Sequence, residues 1–300
     1  MSIYSQINKN RWRTYLIFCI FILLTCGFFY LIGKTVDSAS AYLTLGIIFS
    51  VASSFGSYFF ADKIVLFSTG AFPADKKRFF DFYTVTENLS IAAGLPMPKL
   101  YVIDDSAPNA FATGRDPKHA VVCATTGLLS KLSRAEIEGV VAHELSHVKN
   151  YDILLMSVVS VLVGTIALAS DWMMRGFLWG GFGKRDRDND QNNNPLMLIL
   201  AILALIIAPL VAMLIQMAIS RKREFLADAN GALLTRYPEG LARALEKIAS
   251  DHDQLQTASN ATAHLFISSP FKEKNSFNWL TNLFSTHPPI KERVKILRSM

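Results

Sequence analysis

The stretch S-R-A-E-I-E-G-V-V-A-H-E-L-S-H-V-K-N runs from Ser133 to Asn150. Its pattern predicts a helix. Ser133 stands where an N-cap belongs, and Glu136 three residues on completes a capping box, each side chain satisfying a backbone N–H that the first turn leaves orphaned. Ile137, Val140, Val141 and Val148 supply an apolar side that can pack. On such a helix His143 and His147, four residues apart, share one face with Cβ atoms about 5–6 Å apart. Two imidazole nitrogens then reach one metal ion at about 2.0–2.1 Å each. Glu144 lies one residue from the first histidine, where a carboxylate can act as base toward a water at the metal. The competing reading is a surface histidine pair beside a bystander glutamate. It stands until the rest of the chain supplies a third ligand and a setting.

Away from this helix the chain is apolar. Of its 300 residues 51% are hydrophobic and only 18% charged, and the mean hydropathy is positive. That is too apolar for an ordinary soluble domain, so membrane spans are expected. The net charge of +6 does not point to nucleic acid. The basic residues flank apolar runs instead of clustering with aromatics on one face. Three cysteines are too few for a disulfide framework. Cys19 and Cys26 lie in an apolar run, Cys123 lies in a strand-like segment, and no C-x-x-C offers a thiolate metal site.

Four uncharged runs are long enough to cross a bilayer: Thr14–Gly33, Ser38–Phe60, Ile153–Ser170 and Leu196–Ser220, the last with Pro209 expected to kink it. The first follows Lys9, Arg11 and Arg13; it is longer than a signal-peptide core and no clear small-x-small cleavage site follows it. The runs divide the chain into a transmembrane hairpin (1–61), a first catalytic part with the motif helix (62–152), a second hairpin with a polar loop at Asp171–Pro195 (153–220), and a second catalytic part (221–300). Between the hairpins, Asp81–Ala93 reads as a helix stopped by Gly94, Pro96 and Pro98. Lys99–Ile103, Asn109–Gly114 and His119–Thr125 read as strands. Pro238–Ala249 is a further helix, and Asp251–Trp279 reads as irregular. The expected fold class is therefore mainly α: a multi-pass membrane protein of about four transmembrane helices, with an α+β domain carrying a small sheet. Positive residues before the first span put the N-terminus in the cytoplasm. Two crossings return Asp62 to that side and two more return Arg221, so both catalytic parts share one compartment. Arg175, Lys184, Arg185 and Arg187, in the loop assigned outside, pull against this assignment.

A catalytic zinc site takes three protein ligands and keeps one position open. The candidates for the third are Glu224, Asp228, His264, His287 and Asp152. Glu224 and Asp228, four apart in R-K-R-E-F-L-A-D, share a helical face, which serves equally as a ligand with its orienting carboxylate or as a solvated charged face after a span.

The chain resembles HtpX-type membrane zinc proteases, gluzincin relatives of the CAAX prenyl proteases. The resemblance rests on G-L-P-M-P (Gly94–Pro98), N-A-F-A-T-G (Asn109–Gly114), T-T-G-L-L (Thr125–Leu129), H-E-L-S-H (His143–His147), S-R-K-R-E-F-L-A-D (Ser220–Asp228), A-T-A-H-L-F (Ala261–Phe266) and T-H-P-P-I-K-E-R (Thr286–Arg293). The segments stand in family order and cover nearly the whole chain. The resemblance implies one zinc ion per chain held by His143, His147 and Glu224, with Glu144 as general base and acid. It implies Asp228 as the carboxylate behind a ligand, His287 as oxyanion donor, and Arg293 as its support or a partner of Glu224. It makes Asn109, Ala110, Phe111 and Ala112 an edge strand beside which an extended substrate adds through main-chain bonds. It also implies a protease of the bacterial cytoplasmic (inner) membrane, with active site and both termini cytoplasmic, acting on misfolded or surplus membrane proteins. Its partners are then protein substrates and the lipid bilayer, with no nucleic acid; oligomeric state stays open. His119 and His264 read as structural, and Asp152 as capping or orienting the motif helix.

Three other functions compete. A site-2-type intramembrane protease buries H-E-x-x-H within a span, whereas Glu136, Glu138, Lys149, Asn150 and Asp152 flank the motif here. A CAAX-type prenyl-processing protease needs a large membrane chamber, which four spans hardly enclose. A non-catalytic metal-binding scaffold needs a fourth protein ligand, and no cysteine or histidine is spaced to provide one.

Overall fold

Three of the apolar runs form the longest helices among the described residues. In the computed structural model, which describes residues 3–35, 37–178, 220–270 and 288–300, α1 (Ile3–Thr35) and α2 (Ala39–Ser68) pack as a hairpin. Leu23, Leu31, Ile48 and Phe55 stand exposed along it, a surface that suits lipid and not water. Trp12 and Tyr15, both exposed near the start of α1, are residues of the kind that collects at a membrane–water interface. Three helical segments among the described residues are long and apolar enough to span: Ile7–Lys34, Ala39–Ser68 and Asp152–Ala169. The fourth run, Leu196–Ser220, lies outside the described residues apart from Ser220. The second helix runs past Asp62 and Lys63 to Ser68, so the boundary expected after residue 61 falls within a helix.

A small mixed domain follows. β1 (Phe72–Pro73) leads to α3 (Phe80–Ala93), which ends at Gly94 in the left-handed region (φ 66°). β2 (Lys99–Ile103), β3 (Ala110–Thr113) and β4 (Val121–Thr125) complete a sheet of order β1-β2-β4-β3. β2 and β4 are parallel; the outer pairs are antiparallel. A two-residue strand such as β1 has no periodicity to announce it, and His119 belongs to a 3₁₀ turn before β4 rather than to the strand.

α4 (Thr126–Lys131) turns the chain into α5 (Arg134–Lys149), where the capping box of Ser133 and Glu136 is formed: the Ser133 N–H donates to Glu136 Oε2 at 2.7 Å. α6 (Asp152–Leu178) follows directly, so the first residues of the expected polar loop are helical. α7 (Arg221–Thr235), α8 (Pro238–Ser250) and α9 (Ile290–Leu297) close the domain. α5 runs through its middle, with Ile137, Val141 and Leu145 in one core with Val122, Ala124, Leu245 and Leu297. Two glycines bring helices close to it. A Cβ on Gly139 would sit 2.5 Å from the Leu241 amide nitrogen, and one on Gly231 3.2 Å from that of His143. A second core holds membrane helices together, where Ile17 and Phe21 of α1 pack on Leu155, Val158 and Leu162 of α6.

Candidate metal centre

The capping box starts α5 at Arg134, and helical spacing then turns His143, Glu144 and His147 into the interior, each nearly fully buried. The two Nε2 atoms converge to 3.2 Å. α7 crosses α5 at Gly231 and brings Glu224 to the same point. Its Oε1 is 3.6 Å from His147 Nε2 and its Oε2 is 3.9 Å from His143 Nε2. These three residues offer ligand atoms within 4.8 Å of one another. Ligands about 2.0–2.1 Å from a tetrahedral zinc lie about 3.3–3.5 Å apart, so the donors stand near the spacing that such an ion requires.

Each histidine is held from behind by a different carboxylate. His143 Nδ1 lies 2.9 Å from Asp228 Oδ1. Arg293, fully buried, clamps Asp228 with two hydrogen bonds, Nε to Oδ2 at 2.8 Å and Nη2 to Oδ1 at 2.6 Å. Arg293 Nη1 also approaches Glu224 Oε2 at 3.9 Å. His147 Nδ1 lies 3.0 Å from Asp152 Oδ2. Tyr151, with φ 59°, sits in the two-residue joint (Asn150, Tyr151) between α5 and α6 that swings Asp152 back toward the helix it follows. A carboxylate on each Nδ1 fixes the tautomer that leaves the Nε2 lone pair free to ligate.

The electrostatics ask for a cation. Four carboxylates (Glu144, Asp152, Glu224, Asp228) and two guanidinium groups (Arg223, Arg293) are buried around the histidines. That leaves two negative charges in a water-poor interior, which a divalent ion cancels. Protonation behaves accordingly. Burial lowers His147, but Asp152, Glu224 and Glu144 outweigh it and raise the imidazole to about 9. Burial holds His143 down to about 4 despite its hydrogen bond to Asp228. Burial raises Glu144 to about 7, against the pull of His147 and with the push of Glu224. A hydrogen bond from the Ala112 backbone to Glu144 ties β3 to the motif helix.

Asn109, Ala110, Phe111 and Ala112 lie beside this centre, all buried. The outer edge of β3 is not open. Ile267 N donates to Ala110 O at 2.9 Å, Phe266 bridges antiparallel to Phe111, and Asn109 Nδ2 donates to Ser268 O at 3.0 Å. A segment read as irregular from its composition thus covers the edge expected to receive substrate. His264, buried, puts its Nε2 3.0 Å from the Met156 carbonyl, and His119 faces Asp116 at 2.8 Å; neither approaches the metal centre. His287 lies outside the described residues. Two residues at the centre are assigned no role by the sequence, although Arg223 lies within the S-R-K-R-E-F-L-A-D segment. Asn10 and Arg223 both contact Asp152, yet each sits among ordinary flanking residues of an apolar run. Only the helix packing brings them there.

The pattern of Peptidase family M48 matches residues 76–300. The chain is 44% identical to the Protease HtpX homolog of Caldanaerobacter subterraneus subsp. tengcongensis, over 100% of this chain and 98% of that one. It is 42% identical to the Protease HtpX homolog of Tropheryma whipplei (strain Twist), over 99% and 98%. The crystal structure of S. mikatae Ste24p is a more distant likeness: 18% identity, 98% of this chain, 67% of that chain and a TM-score of 0.49. The chain belongs to peptidase family M48 and is, within it, a membrane-associated metalloprotease of the HtpX type.

Proposed function

We propose that this chain is a zinc-dependent endopeptidase of the bacterial cytoplasmic membrane. It hydrolyses peptide bonds of misfolded or surplus membrane proteins at the cytoplasmic face. The observation that carries the reading is the buried trio of His143, His147 and Glu224 with Glu144 beside it, with His147 five residues before the start of a membrane helix at Asp152. His143, His147 and Glu224 would hold the ion. Zinc, when bound, supplies Lewis-acid polarisation and makes water acidic enough to attack near neutrality.

The chain's own groups do the rest. Glu144, buried beside the ligands, would take a proton from the attacking water and return it to the leaving amine. Asp228 and Asp152 keep His143 and His147 in their ligating tautomers. Arg293 neutralises Asp228, and His287 would offer a hydrogen bond to the developing oxyanion. Asn109 to Ala112 receive the substrate as an added strand, which reads main chain rather than side chains and so suits varied sequences. The Phe266–Ser268 segment vacates that edge as the substrate enters.

The experiment compares wild type and Glu144→Gln purified in detergent. Proteolysis of an unfolded substrate falls by at least about 100-fold, the lower range for a lost general base, while zinc content is unchanged. Equal proteolysis by the two proteins overturns the mechanism. Full zinc occupancy in Glu224→Ala overturns the ligand assignment.

A further inference from the structure

The support behind His147 does not end at Asp152. Asp152 Oδ1, the oxygen turned away from the histidine, receives Asn10 Nδ2 at 2.7 Å. The same Asn10 amide donates to the Asn150 carbonyl at 3.0 Å, at the end of α5. Its Oδ1 accepts from Arg223 Nη1 at 3.1 Å, and Arg223 Nε stands 3.4 Å from Asp152 Oδ1. Asn10 is 1% exposed, so each of its polar atoms depends on these partners. It belongs to α1, 124 residues before the motif helix begins, and Trp12 and Tyr15 stand exposed just beyond it. Arg11 adds a second tie by covering the Tyr151 ring at 4.7 Å.

We propose that Asn10 is a positioning residue of the metal centre, through which the first membrane helix fixes Asp152 and so orients His147. The amide is suited to the place. It donates to a carboxylate and accepts from a guanidinium at once, which neither an aspartate nor an apolar residue of that size does. Arg223 neutralises Asp152 but stands 3.4 Å from Oδ1, whereas Asn10 donates to that oxygen at 2.7 Å and so fixes the plane of the carboxylate. Asn10 occupies Oδ1 and leaves Oδ2 for Nδ1. The consequence is that α1, beyond packing on α6, orders one metal ligand through a single polar side chain. The inference rests on the metal reading proposed above.

The test uses the full-length chain in detergent, in a Glu144→Gln background that prevents self-digestion, with cobalt(II) and zinc(II) as probes. Asn10→Leu is expected to weaken zinc retention against a competing chelator about tenfold, the low end for groups that hold a metal ligand from behind, and to alter the cobalt absorption bands. Asn10→Asp, which sets an acceptor against Asp152 Oδ1, reproduces both effects. In an Asp152→Asn protein, Asn10→Leu produces no further loss, because its effect passes through Asp152. Ile17→Ala, which removes α1–α6 packing outside the network, lowers the melting temperature and leaves the cobalt bands unchanged. A purely structural Asn10 overturns the inference: its variants would then lower the melting temperature alone, or their affinity losses would add to that of Asp152→Asn. A parent protein that binds neither ion refutes the metal reading itself, and is told apart from these results by that alone.

Discussion

The two histidines of the centre sit four residues apart on one helix, yet they are held by different parts of the molecule. Behind His143 stand Asp228 of α7 and Arg293 of α9, both in the mixed domain. Behind His147 stand Asp152, the first residue of a membrane helix, and Asn10 of another. One arm is closed by a two-bond guanidinium–carboxylate clamp between helices that pack in a soluble core. The other depends on two apolar helices staying together at the edge of the bilayer. The centre is thus a joint between domain and membrane, and a change on either side reaches it through a different ligand.

The largest way to break this comparison is through the first arm. Arg293→Leu leaves Asp228 buried and uncompensated, and loss of one partner of such a pair costs about 3–5 kcal/mol. Denaturant unfolding in detergent is expected to show that loss in the whole mixed domain, with zinc bound or removed. The second arm acts more locally. Asp152→Asn is expected to weaken zinc affinity about 10–100-fold, measured by chelator competition, with a smaller change in stability because the group it leaves can hydrogen-bond to Arg223.

A third measurement sharpens the contrast. Arg293 Nη1 also donates to the Ile267 carbonyl at 3.0 Å, so the segment covering β3 is fastened to the first arm and not the second. In Glu144→Gln protein, an unfolded peptide is expected to raise amide exchange at Ile267 about three- to tenfold, the scale of one lost hydrogen bond. Exchange at Asn150, beside the second arm, stays unchanged. An Ile267 amide that remains protected under saturating peptide would mean that substrate does not enter along this edge.

The smallest effect lies on the helix common to both arms. Burial raises Glu136, but hydrogen bonds from Lys247 and from the Ser133 N–H outweigh it, and the carboxyl titrates below its usual 4.5. The ionised form therefore stabilises the fold at neutral pH, and that contribution is lost as the pH falls through the folded-state value. Glu136→Gln is expected to cost about 1 kcal/mol at pH 7, as other lost caps do. The gap from wild type closes in acid, and zinc affinity at pH 7 stays within about twofold, the noise of such a distant change.

Much of this was legible in advance where the relevant physics is local. A capping box, a four-residue histidine spacing and a run of uncharged residues each act within one or two helical turns, or within one span, and α5, α1 and α2 follow from them. The second helix overran its expected end because Asp62 and Lys63 are tolerated where a membrane helix emerges. β1 escaped notice because two residues carry no period. The segment at Phe266 read as irregular because its order comes from β3 and not from its own residues.

Spacing alone therefore determined that His143 and His147 face one point, that Glu144 stands beside them, and that membrane helices flank them. Spacing does not fix which carboxylate reaches that point; the family resemblance, not the spacing, points to Glu224. By spacing alone Glu224, Asp228 and Asp152 are all within reach; helix crossing at Gly231 and the left-handed joint at Tyr151 set Glu224 near the two Nε2 atoms and Asp228 and Asp152 on different Nδ1 atoms. Asn10 was not a candidate at all. Its role exists only because α1 packs against α6, and contacts across such sequence distances are settled by the packing of apolar faces that many sequences share.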